Sequence, residues 1–177
     1  MTTIKLTKFD AARRQLRTAI ELWFSGGDPI SIHALVYAAH EIIHRLYRRK
    51  GLSDLLFDTS LVQDKNLRNK INKIIKEFSN WIKHAERDSE LDEIKEFDPI
   101  ANDLFLMISV LGISRMDYSL TDVESSVTLW NFFHNRHWFP DNVPIDSIPP
   151  DHIKKLSGLS RDAFLPAFLE VWKEIGG

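Results

Sequence analysis

Cysteine is absent from the 177 residues. That excludes disulfides, thiol nucleophiles and thiolate metal sites, so a bound zinc ion would have to be held by histidine and carboxylate. No run of about 18 apolar residues occurs, so no segment is a candidate membrane span. The opening MTTIKLTKFDAARRQ has no apolar core of the kind a secretory signal needs, and the expectation is a cytoplasmic protein with no membrane partner. Charge of one sign is also lacking. The 23 Lys and Arg are matched by 25 Asp and Glu, a net charge of −2, so no global positive field marks a nucleic-acid binder. No Gly-rich phosphate loop, G-x-S-x-G elbow or dinucleotide fingerprint is present. No run alternates apolar and polar residues over enough positions to predict a strand, and no hairpin dipeptide joins two such runs.

What is present is helical periodicity punctuated by Gly and Pro. Leu16, Ala19, Ile20, Trp23 and Phe24 follow helical spacing in a first helix from about Lys8 to Ser25, closed by Gly26-Gly27. Asp28-Pro29 reads as the cap and first position of a second helix running to about Lys50, with a basic last turn (Arg45, Arg48, Arg49) and Gly51 as its stop. Residues 52–63 read as a loop. A third helix spans about Asp64 to Arg87, followed by the acidic connector DSELDEIKEF. Asp98-Pro99 opens a fourth, the most apolar and so the central one. Thr121 and Glu124 form a capping box for a fifth that ends near Phe133, and Ser160 caps a final helix to about Glu174. The predicted fold is all-α. It is a single-domain helical bundle of about five to six helices, with a core over about residues 8–134, an irregular proline-rich segment at 135–150 and a C-terminal helix at about 160–175.

The second helix contains His40-Glu41-Ile42-Ile43-His44, which fits the H-E-x-x-H pattern of zinc peptidases. The metzincin extension fails, because Tyr47 and Lys50 stand where Gly and a third His belong. Glu77 or His84 could supply a third ligand. Such proteases also hold an extended peptide against a sheet edge, and no strand is predicted. Glu41 points away from the apolar face and from the histidine edge. The longer pattern carries more information. His33, Tyr37, His40 and His44 lie along one margin of the apolar face, and Glu77, Trp81, His84 and Asp88 repeat that spacing on the third helix. Antiparallel packing of the two helices would line one pocket with these residues. His33, His40, His44 and His84 are the candidate metal ligands, with zinc the foremost divalent cation, and Tyr37, Glu77, Trp81 and Asp88 are candidate ligand contacts. The same residues could instead be hydrogen-bonded histidines that fix the core. No catalytic residue is assigned, and Lys83 is expected to be solvated on another face.

DAARRQLRTAIELWFSGGDPISIHALVYAAHEIIHRL and EFSNWIKHAERD resemble an uncharacterised group of small bacterial helical proteins, in which an SIH…AAH helix precedes an NFFKHADRD-like segment. The resemblance covers roughly residues 8–110. The chain is also similar to the HEPN superfamily, which implies a helical bundle and a homodimer. Active HEPN members cleave RNA with an Arg and a His on one helix. Here the places ahead of His84 hold Glu77, Phe78 and Ser79, followed by Asn80, so the arginine is missing and ribonuclease chemistry is not implied.

Two further features bear on partners. Lys65, Arg68, Lys70, Lys73 and Lys76 form a basic run on the third helix, read first as a solvated face. With Arg45, Arg48 and Arg49 it could contact RNA phosphates. LWNFFHNRHWFPDNVP, residues 129–144, is an aromatic cluster at a helix end. It is read first as a plug over the core and second as an oligomer or partner surface. His134 and His137 within it form a second, less rigid histidine pair.

Overall fold

Short polar side chains start most of the helices. A computed structural model describes residues 3–52, 65–83, 94–139 and 149–175. Thr7 Oγ1 accepts from the Asp10 amide at 3.1 Å while Asp10 Oδ2 accepts from the Thr7 amide at 2.9 Å, a capping box that opens α1, Lys8–Phe24. The chain leaves α1 through Gly26, whose φ of 71° suits a residue without a Cβ. The Asp28 carboxylate accepts from the Ser31 amide at 2.7 Å, and Pro29 takes the first position of α2, Pro29–Arg49. Gly51, with φ of 77°, follows its end. Then come α3, Lys65–Lys83, and α4, Ile100–Arg115, where Asp98 Oδ1 accepts from the Ile100 amide at 3.0 Å. The predicted box of Thr121 and Glu124 opens α5, Asp122–His134. A 3₁₀ turn covers Arg136–Trp138. Last are α6, Pro150–Ser157, and α7, Arg161–Glu174.

The described residues therefore hold seven helices and no strand. The all-α expectation stands, but the count exceeds five to six. The addition is α6. Its Pro149-Pro150 start reads in sequence as a breaker, yet Pro150 occupies the first helical turn, where the missing N–H costs nothing. The predicted loop and connector lie largely outside the described residues, as do residues 140–148.

One apolar cluster joins α1, α2, α4, α5 and α7 with Leu156 of α6. As predicted, α4 is central, and among the described residues it is the most enclosed helix. From Asn102 to Ile113 nine of its residues are buried, on all sides of the helix. It packs against α2 and α5, while α1 lies on α2 and α5 on α7. Trp130 and Phe133 of the aromatic segment cover the core through Phe164 at 5.1 and 6.4 Å, and His134 stacks on Trp130 at 3.8 Å. That is the plug arrangement. No helix among the described residues is long and apolar enough to cross a membrane.

Candidate functional site

The histidine edge of α2 meets α3. His33 Nε2 lies 2.7 Å from Ser79 Oγ of α3, and His33 Nδ1 lies 3.1 Å from Asn102 Oδ1 of α4. The Asn102 amide nitrogen donates to the Pro29 carbonyl at 2.9 Å, which fixes the orientation of the amide. Its oxygen therefore accepts from His33, so Nδ1 carries the ring proton and Nε2 accepts from the Ser79 hydroxyl. His33, Ser79 and Asn102 are each at most 1 % exposed. Phe97, Phe78, Phe105 and Tyr37 surround the imidazole, with ring centroids 4.9 to 6.0 Å away. Burial holds its pKa below the ordinary histidine value. The Asn102 bond partly opposes that, and the Lys83 charge adds to it.

The order hydroxyl, imidazole, amide is that of an acyl-transfer triad. Ser79 is 0 % exposed, however, so no substrate carbonyl can reach its oxygen. The network fixes the core at the α2–α3–α4 junction.

Tyr37 sits one turn on, buried, with its hydroxyl pKa raised to about 12 by burial and then by Glu41. Lys83 Nζ lies 4.4 Å from the centre of its ring and 3.7 Å from Glu41 Oε2. This corrects two details of the helical-wheel reading. Lys83 is exposed, as expected, but stands beside Tyr37 rather than on another face, and Glu41 faces α3. The long lysine stem carries its charge over the aromatic ring to the far side of the interface. His40 is 4 % exposed, and its pKa is lowered to about 3 by burial, with His44 and Lys76 adding to the effect. The His40 and His44 rings are 5.8 Å apart. Among the described residues no three His, Asp or Glu side chains form a metal-binding group.

Of the other predicted residues, Glu77 is exposed and pairs with Lys95 at 3.3 Å, and Trp81 packs on Phe78 at 5.8 Å. His84 and Asp88 lie outside the described residues. His33 and Glu77 do share a cavity of about 220 Å³, bounded also by Phe78, Lys95, Phe97 and Ala101, with Glu96 and Asp98 at its acidic side. Sequence reasoning missed Asn102, Ser79 and the Lys95–Asp98 strip. Asn102-Asp103 inside the most apolar helix was the available signal. A polar pair in such a run must face a partner. No protein-family model, curated protein or solved structure matches the chain.

Proposed function

We propose that this chain is a cytoplasmic, single-domain helical bundle that binds a small ligand or divalent cation where the histidine edge of α2 meets α3. The observation that carries the reading is the cavity shared by His33 and Glu77, one residue from each predicted stripe. Both nitrogens of His33 are engaged, so His33 shapes the wall of an organic-ligand site. A cation would instead take His40 and His44, at i and i+4 on one face, with His84 as the candidate third nitrogen. Zinc is the cation such a donor set favours.

Protein purified without an affinity tag should carry one equivalent of metal or take up one equivalent of Zn²⁺ in a calorimetric titration. His44→Ala should abolish that uptake. Absence of stoichiometric metal, together with a thermal midpoint that chelator leaves unchanged, would eliminate the cation.

A second reading, an RNA-binding homodimer of HEPN type, draws on the exposure of Lys70, Lys73 and Lys76 on α3 and of Arg45, Arg48 and Arg49 on the end of α2. Reversing the charges of Lys73 and Lys76 should weaken RNA binding. It should also flatten the slope of log K against log salt by about 1.4, two phosphate contacts' worth for a single strand. A wild-type chain that binds no RNA at low salt would end this reading.

A further inference from the structure

A second cavity, of about 440 Å³, opens where α2, α4 and α7 begin. Its volume falls within the range of small-molecule sites, about 300–1,000 Å³. Three of its charged side chains matter: Asp98, Asp103 and Arg161. Trp23 organises two of them. Its indole N–H donates to Asp103 Oδ1 at 2.6 Å, and its ring lies under the Arg161 guanidinium, 5.0 Å from ring centre to Cζ. The edge of one indole thus holds an acid while its face holds a base.

Acid and base are not paired with each other. Arg161 forms no ion pair with Asp98 or Asp103 among the described residues. Asp98 accepts from the Ile100 amide at 3.0 Å and Asp103 from the indole, which leaves acceptor capacity on both carboxylates. Burial raises the Asp103 pKa, with the Trp23 bond and the more distant Arg161 charge only partly opposing it, so a donor from a ligand would restore solvation that this carboxylate lacks.

We propose that this cavity binds a small dipolar ion, an α-amino acid or an aminocarboxylate of similar size. The ligand's ammonium lies toward Asp103 and Asp98, and its carboxylate lies on Arg161. A planar guanidinium presents a fork that matches a carboxylate, and its seat on Trp23 holds that fork in place. A simple organic cation is disfavoured because Arg161 already covers the aromatic face it would need. A simple anion is disfavoured by the two flanking carboxylates. This site is separate from the proposed α2–α3 site, and either can fail without the other.

The test uses the full chain and three probes in turn: a panel of free L-amino acids, their N-acetyl derivatives and their methyl esters. Binding is read by calorimetry, by tryptophan fluorescence and by the thermal midpoint. At least one free amino acid should bind and raise the midpoint. Removing either of its charges should weaken binding at least tenfold. Arg161→Gln, at an exposed position, and Asp103→Asn, which keeps an acceptor for the indole, should each do the same while circular dichroism stays native. The proposal is overturned if no panel member binds, if the acetylated or esterified form binds as tightly as its parent, or if both folded variants retain wild-type affinity.

Discussion

Acidifying the protein from about pH 7.5 to about pH 5 should lower its unfolding free energy steeply, because two buried histidines must stay neutral in the folded state. In an unfolded chain both titrate near 6.5. In the fold the His40 pKa is lowered to about 3 and the His33 pKa is lowered as well, burial being the largest cause for each. The sign follows from proton counting. Between the two values the unfolded chain binds a proton that the folded chain refuses, so stability is fully present above 6.5 and is lost as pH falls. Each histidine contributes up to about 1.4 kcal/mol per pH unit across its own window, which for His40 runs from 6.5 down to about 3. The carboxylates with lowered pKa values, Asp10, Asp28 and Asp162, act only below the ordinary carboxylate range. Asp103, with a raised value, works in the opposite sense. Urea unfolding across this range should show the slope, and His40→Gln should reduce it by about one histidine's share, about 1.4 kcal/mol per unit. A profile equally steep in His40→Gln and wild type, or flat in both, would refute the account.

The second large effect concerns an ion pair between helices distant in sequence. Arg13 Nε of α1 donates to Glu124 Oε1 of α5 at 2.8 Å, and its Nη2 reaches both Glu124 Oε2 and, at 2.9 Å, the Ser119 carbonyl. Glu124 Oε2 also accepts from the Thr121 amide at 2.8 Å, so one carboxylate caps α5 and ties it to α1. The Glu124 side chain is 2 % exposed and the Arg13 side chain 25 %. That asymmetry decides the outcome of truncation. Arg13→Ala strands a buried carboxylate and should cost about 3–5 kcal/mol. Glu124→Ala leaves a guanidinium that can turn to water; it loses the cap and the pair for about 2 kcal/mol. The double variant should cost much less than the sum of the two. Chemical denaturation of the three variants checks the order, and a Glu124→Ala loss larger than that of Arg13→Ala would contradict it.

These contacts also mark where sequence reading stops. Caps and stops are local, so Gly26-Gly27, Asp28-Pro29 and the Thr121–Glu124 box could be read directly. The second role of Glu124 could not, because its partner is 111 residues away in the chain. The margin residues of α2 were legible through their spacing, and the meeting of that margin with α3 follows from the same logic. What each histidine does there was not legible. His33 and His40 share a stripe, yet Asn102 and Ser79 determine the hydrogen bonds of His33 alone. The partner came from α4, a helix whose apolarity made it look featureless. The Trp23–Asp103–Arg161 arrangement draws on three helices, and no single-helix pattern announces it.

Asn102 connects the two cavities. Its side chain lines the wall at α2, α4 and α7, and its oxygen holds His33 at the wall of the other. An amide has one donating end and one accepting end. Turning it over would put a nitrogen against the protonated His33 Nδ1 and an oxygen against the Pro29 carbonyl, which can only accept, so the Pro29 bond holds the amide as it is. The orientation of the amide, the tautomer of the imidazole and the direction of the hydroxyl are therefore all set by one backbone carbonyl, that of Pro29, and passed across three helices.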